Sequence, residues 1–453
     1  MKKESNTYDV IVIGAGAAGL NSYSFLHQTG LTVLLVEKNE KNIGGDCLHN
    51  GCIPSKALIH LAKSGFTGDL AEAIHQKQSA IATHESLNFF KEQGWDICIG
   101  EAHFVDRGTI EVDGRTYRAK KIIVATGSKP RMLTVSGTPT FPIYSNETIF
   151  GIQQAPKNFV VVGGGPIGVE IAQAYSKLGS HVSIITTDGQ LLPRERIEVG
   201  EYIEKIFAKN GITVYKEASI AEAHLTTLTL TTGVTLTCDA LLVAIGRVVD
   251  IRSLMPEKAG IVIDEQGRPK VDRCLRSTNH NIYFSGDAVG SYQFTHVTER
   301  HTAIILQNLF GFFKKAVSYR DIGWVTFTDP EIASCGISHD EYLAHRDIYK
   351  EYVLPFTEDD RAITDEYTDS MIWIYTHGEY IVGATIIMPG AGEVMQSILY
   401  AISNSIKIRD LFSTLHPYPT KSRILKSIFA LHQKERFTKT AKSVLRVLFK
   451  VFS

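Results

Sequence analysis

The chain has 453 residues, with 47 Lys and Arg against 48 Asp and Glu, a formal net charge of -1 and 44% hydrophobic residues. That length predicts about three domains, and the balanced charge excludes a nucleic-acid partner recruited by a basic surface. No apolar run is long enough to span a bilayer. The polar stretch Met1 to Asp9 lacks a signal core, so a cytoplasmic protein with reduced thiols is expected.

The run Tyr8-Asp9-Val10-Ile11-Val12-Ile13 reads as a buried parallel strand. It turns through Gly14, Gly16 and Gly19 into a helix, and a second strand, Leu31 to Val36, ends at Glu37. Glycines at this spacing permit a tight turn and close approach of a pyrophosphate to the helix N-terminus. Glu37 stands about 20 residues on, where an acid accepts hydrogen bonds from a ribose. A lone glycine motif is weak, but strand, turn, helix, strand and acid in register are a strong sign of a dinucleotide site.

Next comes Gly44-Gly45-Asp46-Cys47-Leu48-His49-Asn50-Gly51-Cys52-Ile53-Pro54-Ser55-Lys56. Read as a structural disulfide, the pair lacks any sign of export. Read as half of a zinc site, it lacks a second close pair, because Cys98, Cys238, Cys274 and Cys335 lie singly and read as buried small hydrophobes. A redox pair fits best, since a helix N-terminus near a cofactor lowers a thiol pKa. No metal site is expected.

The glycine pattern returns after the strand Phe159 to Val162 as Gly163-Gly164-Gly165-Pro166-Ile167-Gly168-Val169-Glu170, followed by the strand His181 to Ile185. Thr186 occupies the place of the acid that favours NAD, and no arginine marks NADP, so the donor preference stays open. Two dinucleotide sites around one thiol pair imply one flavin and one nicotinamide, because a flavin takes a hydride and hands electrons on to sulfur.

With these motifs stand Ala125-Thr126-Gly127-Ser128, its echo Ala244-Ile245-Gly246-Arg247, Tyr283-Phe284-Ser285-Gly286-Asp287-Ala288 and Phe327-Thr328-Asp329-Pro330-Glu331-Ile332-Ala333-Ser334. Over essentially its whole length the chain resembles the flavoprotein disulfide reductases of the pyridine nucleotide-disulfide oxidoreductase family, with a thiol segment most similar to the mercuric-reductase-like branch. The resemblance implies an α/β fold with two Rossmann-like domains, for FAD and NAD(P), and a C-terminal α+β dimerisation domain. It places the first part of the FAD domain at 1–144, the NAD(P) domain at 145–264, the second part of the FAD domain at 265–320 and the dimerisation domain at 321–453. It implies a homodimer whose active sites are completed across subunits, with FAD as cofactor, NAD(P)H as donor and a small-molecule electron acceptor. Cys52 would be the charge-transfer thiolate, Cys47 the interchange thiol, and Lys56 would lie near the flavin N5 and pair with Glu170. Cofactor contacts are implied at Gly14, Gly16, Ala17, Gly19, Glu37, Lys38, Gly45, Asp46, Thr126, Gly127 and Asp287, and at Gly163, Gly165, Ile167, Gly168 and Gly246. At Pro166 some relatives carry an aromatic gate, which a proline cannot reproduce. His60, read as following the thiol helix, and His296 are expected to be structural.

The C-terminal segment departs from the family pattern His-Pro-Thr-x-x-Glu, whose His–Glu dyad handles the interchange proton. Here it reads His416-Pro417-Tyr418-Pro419-Thr420-Lys421-Ser422-Arg423. One alignment puts Tyr418 and Arg423 in the dyad positions; the other puts His416 and Lys421 there. Either way the acid is missing. A tyrosine near pKa 10 is a poor proton shuttle at neutral pH, and an added cation favours a standing thiolate. The competing reading has His416 doing the proton work. Mercuric reductase resembles the tyrosine substitution, but no cysteine follows Cys335 and no N-terminal metal-binding module is seen, so mercury reduction is not expected as the evolved role.

In the tail, Lys439, Lys442, Arg446 and Lys450 recur at helical spacing opposite Ala441, Val444, Leu445, Leu448, Val451 and Phe452. Such a helix either meets an anionic membrane peripherally or docks on its own dimer. Three function classes follow: an FAD-dependent NAD(P)H oxidoreductase with a redox-active disulfide, the same fold reducing a quinone, metal ion or oxygen, or a flavin-bound redox sensor.

Overall fold

The computed structural model describes residues 6–436 and 439–452. Met1–Ser5 and the side chains of Lys439 and Ala441 lie outside the described residues. Two compact units are formed: Met1–Leu191 with Lys205–Val317, and Leu192–Glu204 with Ser318–Ser453.

The first unit contains a seven-stranded sheet built around Thr7–Ile13. This strand pairs in parallel with Val33–Glu37 on one side and Arg115–Val124 on the other. Ile97–Ile99 extends one edge in parallel, and Thr109–Val112 and Ala102–Phe104 extend the other as an antiparallel meander. Much later in the chain, Ile282–Phe284 returns to pair in parallel with Ile122–Val124. Ile11, Ile13, Leu34, Val36, Ile122 and Val124 face one core, and Val10, Val12, Val33, Leu35 and Ile123 face the other. Burial on both faces explains why these strands read as unbroken apolar runs.

A second, all-parallel sheet runs in the order Thr213–Tyr215, His181–Ile185, Asn158–Val162, Ala240–Val243, Ile143–Tyr144. Its Val160, Val162, Ile185, Leu241 and Val243 share a core with Ala223, Leu228 and Leu230 of a neighbouring four-stranded sheet. The two large sheets repeat one turn. Gly14 has φ +104° and a Cβ there would stand 2.4 Å from the Ala125 carbonyl oxygen; Gly163 has φ +118° and its Cβ would stand 2.3 Å from that of Ala244. Only glycine fits both conditions.

The second unit is a five-stranded antiparallel sheet in the order Gly323–Thr326, Glu331–Gly336, Tyr380–Met388, Met371–His377, Lys350–Pro355. Helices Ala391–Ser403 and Ile424–Arg436 share its core through Val394, Met395, Ile398, Leu425, Ile428 and Phe429. Residues 192–204 are tied in by buried charge. Arg196 bonds Glu198 and Glu351 at 2.7 Å each and lies 4.3 Å above the Trp373 ring. Glu195 accepts from Trp324 Nε1 and Ser334 Oγ at 2.6 Å, and burial pushes its carboxyl up. The tail forms one helix, Lys439–Phe452. In the single chain both of its described sides are exposed: Lys442, Arg446 and Lys450 as well as Val444, Leu445, Leu448, Val451 and Phe452. Two expectations need correction. Cys238 and Cys335 are buried, but Cys98 and Cys274 are only partly so, Cys98 standing 3.7 Å from the Tyr117 hydroxyl. His60 lies within the thiol helix, which continues to Lys63.

Candidate active site

Gly44 adopts φ +96° and starts the short helix Gly45–His49; Gly51 then leads into the helix Cys52–Lys63. Gln78 Nε2, from the helix Leu70–Ala82, donates to the Leu48 and His49 carbonyls at 2.9 Å and pins the loop between the cysteines. The result places Cys47 Sγ 3.6 Å from Cys52 Sγ, both as free thiols. A disulfide needs about 2.05 Å, so a small rotation suffices to join them.

The two thiols are not equivalent. Cys52 is the first residue of its helix, where the peptide dipoles favour an anion. Its pKa is lowered to about 6, first by the hydrogen bond from the Cys47 thiol and also by the charge of Lys56. The pKa of Cys47 is raised, because it is the donor of that bond and is desolvated. Thr295 Oγ1 stands 2.7 Å from Cys47 Sγ and 3.9 Å from Cys52 Sγ. Lys56 Nζ donates to Glu170 Oε2 at 2.9 Å, joining the thiol helix to Pro166–Lys177 of the second glycine motif; the Glu170 side chain is 7% exposed.

Both glycine turns have the features a pyrophosphate needs. Helices Ala17–Gln28 and Pro166–Lys177 begin at Gly16 and Gly165 with no side-chain cap, so the N–H groups of their first turns (Pro166 itself has none) are not taken up by a capping side chain. Pro166 is the first residue of its helix, where a proline is at ease. A Cβ on Gly45 would stand 2.7 Å from Gly16 Cα, so the thiol segment is pressed against the first turn. The buried Glu37 carboxylate accepts from the Ala15 N–H at 2.7 Å. Ser285 Oγ, one residue from the Gly286-Asp287 turn, is buried without a hydrogen-bond partner among the described residues. The residues present therefore fit FAD in the first turn.

The expected cofactor residues are not all equally placed. Asp46 pairs with Arg247, whose Nε and Nη2 donate to Ser128 Oγ and to the Ser128 carbonyl at 2.6 and 2.8 Å. Ser128 Oγ in turn donates to Asp287 at 2.6 Å, and burial raises the Asp287 pKa. Thr126, Gly127 and Gly246 lie on the two segments this network joins, which also pair as a two-stranded sheet between Lys129–Pro130 and Arg247–Val248. Lys38, by contrast, forms a surface ion pair with Glu101 at 2.9 Å. Ile167 is exposed on the first turn of its helix, beside the buried Gly168. Thr186 is buried, with Oγ1 3.3 Å from Asp188, so the acid at this strand end stands two residues late.

Three residues in the site were not singled out by the motifs. Thr295 opens the helix Thr295–Phe310 within a segment where attention fell on His296, which stacks on Phe294 at 5.4 Å. Arg247 reads in the sequence only as the end of the Ala244-Ile245-Gly246 echo. Buried His301 accepts the Gly286 N–H on Nδ1 at 3.2 Å; burial, then Arg300, holds its pKa down at about 4, so it supports the Asp287 turn as a neutral ring. Only a spatial neighbour identifies such residues.

Within the second unit, the C-terminal segment forms a cluster of its own. His416 Nε2 is 3.3 Å from the Leu411 carbonyl oxygen, a backbone group and not a carboxylate. Tyr418 is 65% exposed, and its hydroxyl donates to Asp360 at 3.1 Å. That bond to a carboxylate raises the Tyr418 pKa still further. The Arg423 guanidinium lies 5.2 Å from the Tyr418 ring centroid and donates to the His416 carbonyl at 3.1 Å.

Comparison with known proteins accounts for this arrangement. The pyridine nucleotide-disulphide oxidoreductase signature matches residues 8–302, and its dimerisation-domain signature matches 322–428. The chain is 30% identical to a mercuric reductase of Lysinibacillus sphaericus, over 93% of this chain and 82% of that protein. It is 31% identical to a dihydrolipoyl dehydrogenase of Geobacillus stearothermophilus, over 92% and 94%. Among solved structures it resembles the Cu(II) complex of the HOCl-induced flavoprotein disulfide reductase RclA from Escherichia coli, with TM-score 0.86 and 25% identity over 94% and 99% of the two chains. The chain belongs to the pyridine nucleotide-disulphide oxidoreductase family, as an FAD-dependent, homodimeric enzyme with NAD(P)H as its electron donor.

Proposed function

We propose that this enzyme delivers electrons through the Cys47–Cys52 pair to a thiophilic metal ion of the Cu(II) kind, in preference to a small disulfide. The observation that carries this reading is the C-terminal cluster, in which His416 faces a carbonyl and Tyr418 is bonded to Asp360. Bound FAD supplies the chemistry of accepting a hydride from NAD(P)H and passing an electron pair to the disulfide. The protein's part is to hold the two thiols in different states. Cys52 stays a thiolate through Cys47, its helix N-terminus and Lys56, and the nearly buried Glu170 is compensated by Lys56.

Proton balance separates the acceptors. Disulfide reduction, NAD(P)H + H⁺ + RSSR → NAD(P)⁺ + 2 RSH, consumes a proton and requires one to be delivered to the leaving thiol. Metal reduction, NAD(P)H + 2 Cu(II) → NAD(P)⁺ + H⁺ + 2 Cu(I), releases one. In the second case Cys47 and Cys52 each give one electron to a Cu(II), the S–S bond forms, and the Cys47 proton leaves to water. A segment without a His–carboxylate dyad suits the second balance. That one relative is a Cu(II) complex and others are mercuric reductases supports the same acceptor class.

The test is anaerobic NAD(P)H oxidation with Cu(II) and a Cu(I)-specific chelator. Two Cu(I) per NAD(P)H, with loss of the reaction in Cys47→Ser, are expected; an undiminished rate in Cys47→Ser would remove the thiols from the path. A second reading, a lipid-soluble quinone, is favoured by the exposed amphipathic helix Lys439–Phe452, which we read as a peripheral membrane contact. Cosedimentation with acidic liposomes, comparing the full chain with one ending before Phe437 (itself outside the described residues), decides it: equal sedimentation at low salt removes the helix from any membrane role.

A further inference from the structure

The helix Thr295–Phe310 ends in a turn unlike the other loops of the first unit. Phe312 is 100% exposed and Phe313 94%, with Phe310 at 53% and Lys314 and Lys315 directly following. Singly exposed apolar residues are ordinary, but two adjacent, almost fully solvated phenylalanines are not. The turn is also built. The amide of fully buried Asn308 accepts the Lys315 N–H at 2.6 Å and donates to the Lys315 carbonyl at 2.9 Å. Lys314 Nζ folds back onto the Gly311 carbonyl at 3.2 Å and the Asn308 carbonyl. The Val317 N–H donates to the Arg273 carbonyl at 2.8 Å and closes the base. The two rings are therefore held out on a clamped support.

Charge and size point to the occupant. Between Gln307 and Val317 the sequence has two lysines and no acid. Lys314 and Arg276 also act electrostatically on Lys121, so the base of the turn gathers cations, with Asp272 paired to Arg276. Two phenylalanines supply about 300–500 Å² of contact, well short of the roughly 800 Å² per partner of a stable protein interface. Aromatic tips with flanking lysines match the boundary between headgroups and acyl chains of an anionic bilayer.

We propose that the Phe312–Phe313 turn is a membrane-contacting tip, with the two rings entering the interface of an anionic lipid surface and Lys315 at its phosphates, while Lys314 stays in the clamp beneath them. The proposal rests on the turn alone and stands apart from both the acceptor assignment and the tail helix.

The experiment is flotation of the full chain, of a Phe312→Ser/Phe313→Ser variant and of a chain ending before Phe437, with phosphatidylcholine vesicles that contain or lack phosphatidylglycerol. At low salt the double variant should bind the anionic vesicles about tenfold more weakly, with FAD content and NAD(P)H turnover unchanged. Lys315→Gln should weaken binding about fivefold, and the loss should vanish in high salt. In a Phe312→Trp variant, bromine-labelled lipid should quench the added fluorescence. Binding of the double variant equal to that of the unaltered chain would overturn the proposal, as would a change in its oligomeric state by light scattering, which would assign the turn to a contact between copies. Absence of any vesicle binding by the full chain would overturn it too.

Discussion

The thiol region and the C-terminal segment meet the family pattern in opposite ways. Around Cys47 and Cys52 the groups that stabilise a thiolate are assembled: a helix start, a hydroxyl at Thr295 and an ion pair between Lys56 and Glu170. Around His416 and Tyr418, the groups that would move a proton are otherwise engaged, one ring against a carbonyl and one hydroxyl on a carboxylate. On the proposed reading the difference teaches that electron input and proton delivery are separable in this fold, because the residues assigned to them sit on different elements with different chemistry. A site can hold its electron-handling residues while its proton-handling segment changes, provided the acceptor demands no proton.

Removing a thiol should have the largest effect. Cys47→Ser or Cys52→Ser should lower thiol-dependent turnover roughly a thousandfold, since in the proposed path each would be a covalent participant. The two should still differ in one readout. Long-wavelength absorbance of the two-electron-reduced enzyme should persist in Cys47→Ser and vanish in Cys52→Ser; persistence in Cys52→Ser would reverse the assignment of roles. Next in size is repair of the C-terminal segment. Tyr418→His with Arg423→Glu should raise lipoamide or glutathione disulfide turnover about 100-fold, the lower end of what a positioned acid–base group contributes. No gain would mean that the segment does not limit disulfide chemistry.

The ion pair comes third. Lys56→Met removes the ion-pair partner of the nearly buried Glu170 carboxylate and should destabilise the fold by about 2 kcal/mol, less than for a fully buried pair because Lys56 is partly exposed. It should also move the Cys52 titration upward. The Cys52 pKa is depressed in the folded protein, so its thiolate is present at neutral pH and is lost as pH falls through about 6. Titrating the long-wavelength absorbance should show that midpoint, and a higher one in Lys56→Met. The smallest effect belongs to Tyr418→Phe: with an exposed hydroxyl bonded, among the described residues, to Asp360, metal-dependent turnover should not change measurably.

The sequence was most readable where backbone geometry dictates residue type. Gly14 and Gly163 cannot be anything else beneath the Ala125 and Ala244 carbonyls, so the twin dinucleotide turns were visible from spacing alone. Cys47, Cys52, Lys56 and Glu170 were visible through a resemblance, and their distances needed the fold. Thr295, Arg247 and His301 were not legible, because their partners lie 248, 201 and 15 residues away and nothing local distinguishes them. Lys38 shows a further limit, since an adjacent position in the motif says nothing about a surface partner such as Glu101.

The most direct test of the central claim is kcat/KM of the unaltered homodimer, measured side by side with Cu(II), lipoamide and glutathione disulfide under anaerobic conditions, with proton uptake or release followed in weak buffer. The account predicts that Cu(II) is favoured at least about 100-fold over either disulfide, with one proton released per NAD(P)H. Efficient turnover of lipoamide or glutathione disulfide with proton uptake, undiminished in His416→Ala, would contradict it.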